Sequence, residues 1–142
     1  MFTDSMNTVL RFTPTLASQL GTHTFEVTAS DSLDQVVGTF TLIISNTGPS
    51  FASTPTGGSL SMCTTAAYTF PAVSSFLPAT VTAVETSATS LPSFMSFTDS
   101  TNTALLINPV SNADIGTKSI SVTLDDGIST SSYSFPIIVT NT

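Results

Sequence analysis

Residues 2–14 read FTDSMNTVLRFTP, and residues 97–109 read FTDSTNTALLINP. The likeness continues without a gap. Residues 1–47 and 96–142 align at a constant offset of 95, and 17 of the 47 positions are identical. Leu10/Leu105, Pro14/Pro109, Gly21/Gly116, Val27/Val122, Asp31/Asp126, Phe40/Phe135 and Asn46/Asn141 are among the identities. A period this long in a chain rich in strand formers means tandem whole domains rather than a short-turn solenoid. Met1 aligns with Ser96, inside a repeat. The expected organisation is therefore the second half of one unit, 1–47, followed by one complete unit, 48–142. The complete unit has about the size of a small sandwich domain, on the order of 100 residues, and can bury a modest core.

Strand patterning runs outward from these stretches. In Lys118–Leu124, KSISVTL, Ile120, Val122 and Leu124 alternate with Ser119, Ser121 and Thr123. That period of two sets an apolar face against a hydroxyl face. The first copy repeats it with Phe25, Val27 and Ala29 against Thr24, Glu26 and Thr28. A last strand carries Tyr133, Phe135, Ile137 and Val139, matched by Phe40, Leu42 and Ile44. Leu105 with Ile107, and Leu10 with Phe12, mark a third strand in each copy. The expected strands are 103–108, 117–125 and 131–140, with weaker ones near 59–62, 65–70, 80–86 and 93–98. Gly21 and Gly116 precede strands, Asp125-Asp126-Gly127 is a hairpin-turn signal, and Pro14 and Pro109 end strands. Gly57-Gly58 reads as a turn within the second unit, and Asn46–Phe51, NTGPSF, as the linker. Thr, Ser, Val and Ile crowd every window, which disfavours helix. The fold class is all-β: tandem antiparallel sandwiches, the first one truncated.

Three stretches carry a family resemblance: LPSFMSFTDSTNTALLINP at 91–109, ADIGTKSISVTLDDG at 113–127 and YSFPIIVTN at 133–141. Together with LGTHTFEVTASDS and GTFTLIISNTGPSF of the first copy, they resemble the dystroglycan-type cadherin-like repeat and related immunoglobulin-like repeats. The resemblance implies cadherin-like or immunoglobulin-like sandwiches. It also implies a structural repeat of a large extracellular or cell-surface protein.

Composition narrows the chemistry. Only 8% of residues are charged, with nine acids against Arg11 and Lys118, for a net charge of -7. Phosphate contacts need Lys and Arg, so nucleic acid is not an expected partner. An anionic membrane surface is disfavoured on the same ground. No stretch reaches the ~18 apolar residues of a membrane span. Polarity comes instead from 27 Thr and 23 Ser. These suit solvent-facing strand positions and are acceptors for O-linked glycans. Asn7, Asn46, Asn102 and Asn112 lack Ser or Thr at the third position, so N-glycans are not expected.

Candidate sites are few. True cadherins hold calcium with acidic loops and linkers, and that ion takes six to eight oxygen ligands. Asp31, Asp34, Asp125 and Asp126 are the weak calcium candidates, but NTGPSF has no carboxylate. Their ordinary role is to cap the turns they sit in. His23 is the single histidine and aligns with Lys118, so an exposed strand position is expected, with neither a catalytic triad nor a His/Cys metal cluster. Cys63 is alone and is expected as a small buried residue. Outward apolar residues Leu106, Pro136, Ile138 and Ile43 mark a surface if they cluster. The expected function is a non-catalytic spacer, adhesin or fibre-building unit without a cofactor. Its partners are neighbouring repeats, lateral copies and O-linked sugar. The alternative is a ligand-binding module, either a calcium-dependent adhesion repeat or a carbohydrate-binding sandwich.

Overall fold

The computed structural model describes residues 6–141. The FTDS start of the first copy, residues 2–5, and Thr142 lie outside them. The chain divides into two compact units, with the break between Thr47 and Gly48.

The second unit is a two-sheet sandwich. Its strands are β3 (Ser50–Phe51), β4 (Gly58–Ser61), β5 (Ala66–Thr69), β6 (Val73–Ser74), β7 (Thr80–Glu85), β8 (Met95–Phe97), β9 (Ala104–Ile107), β10 (Gly116–Asp125) and β11 (Thr130–Thr140). One sheet runs β4-β11-β10-β7 and the other β5-β9-β8, while β3 pairs with β6 at one corner. Every pairing is antiparallel except β4 with β11, which is parallel. That parallel strand departs from the wholly antiparallel expectation. It brings Leu60 beside Val139, where it packs against the core. The strands β3 and β6 are two residues each, too short for an alternation to show in sequence.

The core lies between the sheets. Leu105, Ile120, Val122 and Leu124 are wholly buried, with Ile107, Phe135, Ile137 and Val139 nearly so. Their order follows the pleat: on β10 the buried residues are those at every second position. Ser119 faces solvent, whereas Ser121 and Thr123 are half-buried because β7 and β11 flank them. Thr123 and Ser132 exchange a hydroxyl bond at 3.1 Å across the two strands, and Thr86 donates to Ser119 at 3.0 Å. Ser134 and Thr140 point outward as their parity requires. Phe51 anchors the start of the unit, 5.8 Å from Phe70 and 5.1 Å from Tyr133. Pro49 is fully buried, so this end of the linker segment belongs to the sandwich.

The first unit contains β1 (Gly21–Ser30) and β2 (Gln35–Ile44), one long antiparallel hairpin. The strand expected at Leu10 and Phe12 is reduced to an isolated bridge at Leu10. The hairpin repeats the geometry of β10–β11 residue by residue. Gly21 pairs with Ile44 as Gly116 pairs with Val139, and the agreement continues to Ser30–Gln35 and Asp125–Thr130. The glycines share a left-handed backbone, φ +120° and +123°, which only glycine adopts without strain. Short 3-10 turns precede both hairpins, at Ala17–Gln19 and Asn112–Asp114.

Candidate interaction surface

The turn acids are occupied by their own backbone. Asp31 accepts amide bonds from Leu33 and Asp34, both at 2.8 Å. Those donors hold its carboxyl below the usual value. Asp126, its repeat equivalent, accepts from Ile128 at 3.0 Å and Ser129 at 2.8 Å. Asp125 accepts from Gly127, and Asp34 from Gln35. Asp126 also accepts the Ser75 hydroxyl at 3.5 Å, and among the described residues no three His, Cys, Asp or Glu side chains gather as a metal-binding group.

Three further acids do structural work. Asp114 is buried and accepts amide bonds from Val110 and Ser111 at 2.9 and 2.8 Å. Gln19, at the equivalent place, accepts from Thr15 and Leu16 at 2.7 and 2.8 Å. The role persists although the residue type changes, so identity between the copies does not reveal it. Glu85 lies 3.8 Å from Lys118. Asp99 accepts from the hydroxyls of Thr101 at 2.6 Å and Thr103 at 2.8 Å, and from both backbone amides. These bonds, led by the Thr101 hydroxyl, hold its carboxyl well below the ordinary 3.8. A depressed folded value adds stability above that ordinary value, and the contribution is lost as pH falls. Wild-type protein should therefore lose more urea resistance between about pH 5 and pH 2.5 than Asp99→Asn does, and equal losses would contradict this. Exposure keeps the difference small.

Two sequence expectations need correction. Cys63 is exposed, because it occupies the turn after β4 with φ 62°. Its amide donates to the Pro109 carbonyl at 2.9 Å, so its backbone, not its side chain, is held inside. His23 and Lys118 are half-buried rather than exposed. They share the core-facing parity of their strands, at the end where each strand leaves the core. His23 Nε2 donates to the Gln19 carbonyl at 2.8 Å.

The outward apolar residues do not make one patch in the sandwich. Leu106 is on β9 and Pro136 with Ile138 on β11, in different sheets. The large uncovered surface is in the first unit. Val27 is 41% exposed where Val122 is 0%, and Phe40 is 38% exposed where Phe135 is 2%. Phe12 is exposed, while its equivalent Ile107 is buried. Phe25 and Phe40 stack at 5.3 Å, and Phe12 meets Phe25 edge-on at 5.0 Å. Beside them lies an open cleft of about 210 Å³ lined by Phe12, Pro14, His23, Phe25 and Ile44. A contiguous apolar face of this kind marks a contact surface. The repeat alignment contained this finding, since Phe12, Phe25, Val27, Phe40 and Ile44 have the buried counterparts Ile107, Ile120, Val122, Phe135 and Val139.

Among solved structures the strand arrangement is familiar. A chimeric titin Z1Z2 functionalised with a KLER peptide from decorin aligns with a TM-score of 0.56 and 14% identity. The match covers 70% of this chain and 100% of that one. These are immunoglobulin-like sandwiches. The third to fifth extracellular domains of Drosophila OTK align with a TM-score of 0.55 and 16% identity, over 84% of this chain and 40% of that one. The chain also spans 19% of an endo-fucoidan hydrolase from glycoside hydrolase family 107, with 22% identity over 87% of this chain and a TM-score of 0.48. No family model matches the sequence, and no curated protein does. At these identities the likeness to titin and OTK establishes the immunoglobulin-like fold. Among the described residues no helix is long and apolar enough to cross a membrane.

Proposed function

We propose that the chain is a non-catalytic structural repeat module of a large extracellular or cell-surface protein. It is of the dystroglycan-type cadherin-like kind and acts as a spacer, adhesin or fibre-building unit. One observation carries this reading: two hairpins 95 residues apart share the same pairing register, the same preceding 3-10 turn and the same aspartate-capped end. Duplication of a whole structural unit is the signature of an array, in which each domain supplies length and surface. The neighbouring repeats of the same polypeptide are the first partners, and lateral copies the second. The acidic charge, with two basic residues, supports neither nucleic-acid nor membrane contact.

Calcium titration separates a spacer from a calcium-dependent adhesion repeat. The candidate carboxylates are committed to their turns, so saturating calcium should raise the melting temperature of the full chain by no more than about 2 °C. A large rise at sub-millimolar calcium would assign the adhesion role instead. The exposed hydroxyls, Ser119, Ser134 and Thr140 among them, are proposed to carry O-linked sugar in native material. Intact mass should exceed that of the bare polypeptide, and a mass equal to it would remove the glycan from the account.

A further inference from the structure

We infer that the cleft beside Asp114 binds the lysine side chain of a partner polypeptide. The cleft opens where β8 and β9 meet the turn that carries Asp114. It holds about 330 Å³ and is lined in part by Ser93, Met95, Ser96, Leu106, Val110 and Asp114. Each of these residues belongs to the second unit, so the site is independent of the array reading.

The carboxylate in this cleft is incompletely paired. Asp114 is 8% exposed. Its Oδ2 accepts the amides of Val110 and Ser111 at 2.9 and 2.8 Å. Its Oδ1 accepts no hydrogen bond among the described residues, and the lysine of the chain is paired with Glu85 instead. A buried carboxylate is ordinarily paired or fully hydrogen-bonded. The first copy shows that the turn does not need the charge. Gln19 stands at the equivalent position, and its neutral Oε1 accepts the equivalent amides of Thr15 and Leu16. The negative charge of Asp114 is thus surplus to the turn it holds. The copies differ again at Leu106, which corresponds to Arg11. Of the two, the second copy alone combines a carboxylate with an aliphatic wall.

That combination selects a cation on an aliphatic stem. The charge meets Oδ1, and the methylenes lie along Leu106 and Val110, which are 39% and 68% exposed and so within reach. Lysine fits better than arginine. A guanidinium fork uses both carboxylate oxygens, and Oδ2 is already filled by two amides, whereas an ammonium is a point donor. The exposed Ser93 and Ser96 supply hydroxyl acceptors for its remaining protons. A polypeptide is the fitting source because β8 ends the β5-β9-β8 sheet, and an open edge receives an extended backbone. Lys118, the one lysine of the chain, lies 3.8 Å from Glu85, so a second copy is the poorer occupant. The net charge of -7 favours a basic partner.

The test follows the backbone amide shifts of the full chain during titration with N-acetyl-lysine methylamide. Saturable shifts are expected at Ser96, Leu106 and Val110. The norleucine analogue keeps the stem without the ammonium and should give none. Asp114→Asn keeps an oxygen for the two amides but removes the charge, and should weaken binding at least about tenfold. Leu106→Arg copies the first repeat at an exposed position and should weaken binding as much without touching the turn, so it decides the matter if Asp114→Asn unfolds. n-Butylamine has the same head and stem without peptide groups and should bind more weakly than the lysine derivative. Lack of saturable shifts at millimolar lysine derivative overturns the inference, as does undiminished binding to either variant or equal binding of the norleucine analogue. Equal binding of n-butylamine also overturns it, since the cleft would then be a site for free amines.

Discussion

Phe135→Ala is expected to lower the melting temperature of the sandwich by more than about 10 °C, while Phe40→Ala leaves it within about 2 °C. The two residues are identical in type and equivalent in register, yet their surroundings differ. Phe135 is 2% exposed and touches Tyr68 and Phe70 across the core. Removing it forfeits the burial of a whole ring and leaves a cavity, a loss of about 3–5 kcal/mol. In a domain of this size each kcal/mol moves the midpoint by about 4–8 °C. Phe40 is 38% exposed, and its ring meets Phe25 and Phe12. Its truncation changes an already wet surface. Calorimetry on the two single variants provides the comparison, and equal effects would show that the first unit is as closed as the second.

Gly57→Ala is the second large effect. A Cβ at Gly57 would lie 2.2 Å from the Pro136 carbonyl oxygen and 2.8 Å from the proline ring. Neither neighbour is the free end of a flexible side chain. Accommodation requires β4 to separate from β11, at a cost of about 1–3 kcal/mol, as for other forced overpacking. The adjacent Gly58 has nothing within 4 Å of its Cβ direction, so Gly58→Ala should stay within about 0.5 kcal/mol. Urea midpoints of the two variants make the comparison, and similar values for both would refute the close approach.

Much of the architecture was legible because it depends on alternation. Ile120, Val122 and Leu124 announce a buried face, and the offset of 95 announces a repeated half unit of three strands, of which the first copy shows the β1–β2 hairpin and a bridge at Leu10. What stayed hidden depends on single contacts. Two-residue strands such as Ser50–Phe51 are shorter than the period that would reveal them. The parallel seating of β4 comes with a close approach of Gly57 to Pro136, which composition does not encode. Cys63 broke the expectation of burial because its turn needed a left-handed residue more than the core needed a thiol. His23 reads as exposed because it aligns with Lys118, although the parity of both residues places them on the core side. The candidate calcium acids accept the amides of their turns. The open aromatic face was implicit in the alignment but became visible only when the burial of the two copies was compared.

Backbone hydrogen exchange of the full chain tests the central claim most directly, because it reads both hairpins in one molecule. The claim is that one structural unit occurs twice, closed in residues 48–142 and open in residues 1–47. Amides of β10 and β11 should exchange only on global unfolding, and those of β1 and β2 orders of magnitude faster. Equal, strong protection of both hairpins in a monodisperse 142-residue monomer would contradict the account.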